Sequence, residues 1–102
     1  MPDEPTERFA ANLRRIREKR DLSQGALADL AEMHPTEVSS LERANREPRL
    51  GTLLKLSAVL EVPLREFFEG IEWQPPTTQA SLPVGRFWTS PAALSRVARH
   101  QI

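Results

Sequence analysis

The chain has 102 residues, the size of one small domain with an extension, and is too short for a doubly wound sheet or an eight-stranded barrel. Fourteen Lys and Arg balance fourteen Asp and Glu, so the zero net charge argues against coating nucleic acid or membrane by bulk charge, while leaving room for a locally basic face. There is no cysteine for a disulfide, a thiolate zinc site or a nucleophile, no apolar run of the roughly 20 residues that span a bilayer, and an acidic start unlike a secretory signal, so a cytoplasmic location is expected.

Five helices are predicted in chain order. Phe9, Leu13 and Ile16 share one face of the first, with Thr6 as its expected N-cap and Lys19 and Arg20 at its C-terminal end. Ser23 offers a cap to the second, which carries Leu27, Leu30 and Ala31 and runs to about Glu32. His34-Pro35 opens the third, because proline fits the first helical position; Val38 and Leu41 form its apolar face and it runs to about Arg43. Asn45-Arg46-Glu47-Pro48 is a turn. Leu50, Leu53, Leu56, Val59 and Leu60 stripe the fourth helix, and Pro63 opens a short fifth with Leu64, Phe67 and Phe68, stopped near Gly70. Helices this short do not stand alone in water, so their stripes must share one core, which makes an all-α bundle.

The neutral total hides a division near residue 72. Residues 1–72 hold 11 basic and 14 acidic side chains, net −3, whereas residues 73–102 hold Arg86, Arg96 and Arg99 and no acid, net +3. The second segment also has four of the nine prolines and the polar run Thr77, Thr78, Gln79 and Ser81, so 6–71 reads as the folded domain and 72–102 as an extension used for packing or dimerisation. Within it, Val84-Gly85-Arg86-Phe87-Trp88 reads as a short strand or an aromatic anchor. Ser90-Pro91 is a start for a sixth helix, 92–101, with Leu94, Val97 and Ala98 along one side. Trp73, Phe87 and Trp88 are expected to pack on the helical domain or on a second subunit, because that much exposed apolar area is a liability.

The spacing within residues 23–43 carries the functional reading. Only two or three residues separate the second and third helices, which forces them to cross steeply, as in a helix-turn-helix. With Leu27, Leu30, Val38 and Leu41 turned inward, the outer face of the third helix is left small and polar: Thr36, Glu37, Ser39 and Ser40. A slim polar helix fits a DNA major groove, about 12 Å wide, and the free N–H groups at helix N-termini hold phosphates.

These residues, with Leu13-Arg14-Arg15-Ile16-Arg17, Leu22-Ser23-Gln24, Leu27-Ala28, His34 through Arg43, Pro48, Leu53-Leu54-Lys55-Leu56, Leu60 and Val62-Pro63-Leu64, give residues 9–68 a pattern that resembles the lambda-repressor-like, XRE-family helix-turn-helix domain. The resemblance implies a five-helix lambda-repressor-like bundle with a Pro-rich C-terminal extension. It implies base reading by Thr36, Glu37 and Ser40, with Ser39 and Pro35 beside them. Glu37 can accept from a cytosine amino group, and the Thr36 methyl can meet thymine. Phosphate contacts are implied for Gln24 and Ser23 at the start of the second helix and for Arg43, Asn45 and Arg46 after the third. The basic residues of the first helix scatter around it and read as a solvated face, with Arg14 kept from them as a phosphate contact. Arg17 and Glu42 resemble the family's structural ion pair. Two departures stand out: Glu32 and Ala44 occupy positions where the family favours glycine, so each is strained by about 1 kcal/mol if its φ is positive. Arg49 replaces the usual Ser or Thr cap of the fourth helix.

No metal or cofactor is expected, since His34 has only His100 as a histidine companion and no cysteine completes a zinc set, and neither histidine sits in a hydrolase motif. The expected function is that of a non-enzymatic transcriptional regulator, binding double-stranded DNA as a homodimer on a pseudo-palindromic operator through successive major grooves. The alternatives are a restriction-modification controller, an antitoxin whose residues 73–102 bind a protein partner, and a helix-turn-helix fold used only for protein–protein contact.

Overall fold

The computed structural model describes residues 4–75 and 86–89. Its first helix, α1 (Glu4–Lys19), begins two residues before the expected cap, because Pro5 sits in the first turn, where no N–H is needed. Thr6 is therefore not an N-cap: it lies inside the helix, with its side chain buried. Glu4 and Glu7 in the first turn and Arg17 and Lys19 in the last complement the helix dipole. Then come α2 (Gln24–Leu30), α3 (Pro35–Glu42) and α4 (Leu50–Leu60).

The expected fifth α-helix is instead a 3-10 turn, Leu64–Phe68, so the fold has four α-helices among the described residues. Pro63 sets its start, and the Glu66 N–H donates to the Pro63 carbonyl at 3.0 Å, three residues back. What ends it is a side chain from α1. The buried Asn12 amide donates to the carbonyls of Phe67 (2.8 Å) and Glu69 (3.1 Å), satisfying groups that a longer helix would have used. Gly70 (φ 81°) then turns the chain into β1 (Ile71–Gln74), which pairs antiparallel with β2 (Arg86–Thr89) in the register Ile71 to Thr89 and Gln74 to Arg86. The strand expected within 84–88 is present at Arg86–Thr89. The hairpin lies against α1 and adds a β element to a fold expected to be all-α. The sixth helix expected at 92–101 lies outside the described residues.

The core joins Phe9, Leu13 and Ile16 of α1, Leu27, Ala28 and Ala31 of and beside α2, Val38 and Leu41 of α3, Leu56 and Leu60 of α4, and Phe67. The Phe9 and Phe67 rings meet at 5.9 Å between centroids, tilted by 53°. Leu30, expected inside, is 59% exposed: at about 100° per residue, the arc shared by Leu27, Ala28 and Ala31 faces away from it, and Ala28 fills its place. Phe68 is likewise exposed, because the tight turn buries only its neighbour Phe67. Trp73 is 52% exposed, so it does not pack fully on the helical domain.

All four helices end the same way. Asp21, Glu32, Ala44 and Glu61 are left-handed, with φ of 56°, 54°, 59° and 57°. The residue after each donates its N–H five residues back, from Leu22 to Arg17 (3.3 Å), Met33 to Ala28 (2.8 Å), Asn45 to Ser40 (2.9 Å) and Val62 to Ser57 (3.2 Å). This is the hydrogen-bond pattern that glycine usually serves, built here without glycine at any of the four sites.

Candidate nucleic-acid interface

The Ser23 hydroxyl accepts from the Ala26 N–H at 3.0 Å, which fixes the start of α2. Leu27 and Ala28 bury one face of α2 against Val38 and Leu41 of α3. The connection is short because Glu32 takes the left-handed conformation, which reverses the chain in a single residue. His34 then caps α3. Its Nδ1 accepts from the Thr36 N–H at 3.1 Å and also contacts the Thr36 hydroxyl, while the Glu37 carboxylate accepts from the His34 N–H at 3.5 Å, closing a capping box around Pro35.

The far end of α3 is held by charge. Arg17 reaches from α1 to grip Glu42 with two bonds, Nε to Oε2 at 2.6 Å and Nη2 to Oε1 at 3.0 Å, and its third bond goes to the Leu22 carbonyl at 2.7 Å. The side chains are 11% and 3% exposed, so this pair is shielded and geometrically complete. The bond to Glu42 raises the Arg17 pKa above its ordinary value, against burial, which lowers it. Gln24 joins the cluster, its Nε2 donating to Glu42 Oε1 at 3.0 Å. One charged cluster therefore ties together α1, α2 and the end of α3.

Between these anchors Pro35, Thr36 and Glu37 stand exposed, with Ser39 and Ser40 half-buried beside them. Arg43, Asn45 and Arg46 are exposed in the turn beyond, where Ala44 is the left-handed residue. Glu37, Arg46, Glu47, Arg49 and Thr52 line a polar cleft of 330 Å³ between α3 and the start of α4. Arg49 is the N-cap of α4 and makes no capping bond, as expected of a residue without a short acceptor side chain. Among the described residues Arg43, Arg46 and Arg49 enter no ion pair, leaving three cations beside the outer face of α3. Arg14, by contrast, is paired with Glu18 on its own helix at 3.3 Å, both exposed. The sequence had marked Arg49 only as a poor cap; its nearness to Arg46 across the turn was the signal for a wider cationic edge.

A family model described as helix-turn-helix matches residues 13–67, more than half the chain and all of the geometry just described. The chain belongs to the lambda-repressor-like helix-turn-helix family. This helix-turn-helix chain is 41% identical over 66 residues to control protein C.MunI from a Mycoplasma species, across 64% of this chain and 89% of that protein. It is 30% identical over 78 residues to the HTH-type transcriptional regulator DdrOP3 of Deinococcus deserti, across 76% of this chain; it spans only 60% of that regulator's length. Among solved structures, the restriction-modification controller protein C.AhdI from Aeromonas hydrophila superposes with a TM-score of 0.60 at 35% identity, over 62% of this chain and 96% of that one. No helix among the described residues is long and apolar enough to cross a membrane. Nor are three or more His, Cys, Asp or Glu side chains gathered there in a way that would hold a metal ion.

Proposed function

We propose that the chain is a sequence-specific, double-stranded-DNA-binding transcriptional regulator without enzymatic activity, acting in the cytoplasm as a homodimer on a pseudo-palindromic operator. One observation carries this reading: α3 is capped at its start by the His34 box and tied to α1 and α2 at its far end by the Arg17–Glu42–Gln24 cluster, while its outer face stays open and three arginines without an ion pair among the described residues flank it. Residues 6–71 form the binding unit. Thr36, Glu37 and Ser40 read base edges, with Ser39 and Pro35 close by, and Ser23, Gln24, Arg14, Arg43, Asn45 and Arg46, joined by Arg49, hold phosphates. The bonds that Gln24 and Arg14 make within the protein leave each with further N–H donors for that purpose. In the dimer, two copies of α3 enter major grooves about 34 Å apart. The exposed Leu50 and Leu54 of α4 and the exposed Trp73 are candidates for a subunit contact.

Control of a restriction-modification system is the second reading, favoured by the similarity to C.MunI and C.AhdI. Both readings meet one experiment: selection of bound duplexes from a random library, then titration of affinity against salt. An enriched two-fold-symmetric motif and a linear fall of log affinity with log salt are expected. No enriched motif, or affinity indifferent to salt, refutes DNA binding. A motif located upstream of a methyltransferase and endonuclease gene pair in the source genome supports the controller reading, and its absence there refutes it. Sedimentation at several concentrations tests the dimer.

A further inference from the structure

An apolar groove of 240 Å³ opens on the side of the domain formed by the start of α1, the turn before α4, and the 3-10 turn. Pro5, Phe9, Pro48, Leu53, Phe68 and Ile71 line it, and Phe68 is 41% exposed at its rim. The hairpin register fixes what lies next to it. Thr89, the last residue of β2, pairs with Ile71, a lining residue, so its Cα is about 5 Å from the groove wall. Residues 90–102 therefore set out from the rim of the groove.

Their sequence suits it. Ser90-Pro91 is a helix start, and at about 100° per residue Leu94, Val97, Ala98 and Ile102 fall on one side of the helix that follows, while Arg96, Arg99 and His100 fall on the other. The charges are complementary as well. Glu47 lines the groove and enters no ion pair among the described residues. The segment carries Arg96 and Arg99 and no acid. We propose that residues 91–102 fold as an amphipathic helix that seats Leu94, Val97 and Ala98 in this groove of their own chain, with Arg96 and Arg99 on its outer face. The extension is then part of the domain's surface, and its arginines neutralise the domain's acidic excess.

Because the chain has no cysteine, an engineered pair reports one contact. In the full chain, Phe68→Cys with Leu94→Cys is expected to oxidise at low protein concentration to an intrachain disulfide. Phe68→Cys with Arg96→Cys, on the opposite side of the helix, is expected to close roughly tenfold more slowly, since a disulfide needs Cβ atoms about 4 Å apart. Equal rates for the two pairs, or a disulfide found only between two chains, overturn the proposal. In the unsubstituted chain, backbone amides of residues 94–101 are expected to exchange hydrogen at least about tenfold more slowly than in a free peptide of that sequence; exchange at the free-peptide rate overturns it too. Neither readout involves DNA, so the outcome is independent of the function proposed above.

Discussion

Replacing Glu32 or Ala44 with glycine is expected to stabilise the protein. Both residues hold φ near 54–59°, a conformation that costs an L-residue about 1–2 kcal/mol relative to the right-handed region. Glycine removes that cost but gives back about 0.5–1 kcal/mol, because its unfolded chain is freer. The net gain is about 0.5–1 kcal/mol per site. Glu32 is the cleaner position, since its side chain is exposed and enters no ion pair among the described residues, whereas Ala44 is half-buried and forfeits a methyl contact. For a domain of about this size the gain amounts to a rise of roughly 2–8 °C in melting temperature. The two sites end different helices and share no partner, so their effects should add. Ala58→Gly serves as the opposite control: Ala58 is exposed inside α4, and glycine there is expected to cost about 1 kcal/mol. Thermal and urea unfolding of the three variants would settle the sign. If Glu32→Gly and Ala44→Gly destabilise as Ala58→Gly does, the left-handed ends are not strained and the reasoning fails.

Further predictions concern the recognition unit. Glu42→Ala leaves Arg17 charged and shielded with no carboxylate, so a loss of about 3–5 kcal/mol is expected in urea unfolding; a loss under about 1 kcal/mol would mean that the cluster contributes little. Because the Arg17 pKa is raised, the pair's contribution is fully present below the ordinary guanidinium range and is lost only above the raised value, so melting at pH 7 and pH 9 should not differ on its account. Arg49→Thr supplies the missing cap of α4 and should stabilise the fold by about 0.5–1 kcal/mol while weakening DNA affinity; a change of the same sign in both would remove Arg49 from the phosphate set. Thr36→Ala should alter the preferred bases in library selection, whereas Arg46→Ala should weaken all duplexes evenly and reduce the salt slope by about 1. Identical behaviour of the two would refute the division between base and phosphate contacts.

What could be read from the sequence followed from local chemistry. Ser23 and Pro35 marked helix starts because a cap and a missing N–H act within one turn, and both serve as expected. Glu32 and Ala44 declared themselves as anomalies because glycine was missing where the chain must reverse. Periodicity and the family pattern gave the helix order and the Arg17–Glu42 pair. The rest depended on side chains reaching across the fold. Nothing near residues 64–68 announces that Asn12, more than fifty positions earlier, takes the carbonyls that would have extended a helix there. Leu30 and Phe68 are apolar and well spaced, yet which of two adjacent apolar residues turns inward is decided by the neighbouring element. The resemblance gives Gln24 a phosphate contact, and its bond to Glu42 appears only once α2 and α3 are packed.

The charged cluster at Glu42 also makes α3 a lever. Its eight residues span about 10 Å from Glu42 to Pro35 at 1.5 Å per residue, with the pivot at the shielded end and the proposed base-reading tip at the exposed one. A tilt of only about 5° at the pivot carries the tip through about 1 Å, enough to break a hydrogen bond to a base edge. Val38 lies midway along and is fully buried, so its packing is expected to limit this swing. Trimming it to alanine should therefore broaden base preference in the same selection without altering any of the proposed DNA contacts, while an unchanged motif would show that the pivot alone holds the angle. On the proposed reading of α3, discrimination among operators then rests as much on the stiffness behind the helix as on the side chains upon it.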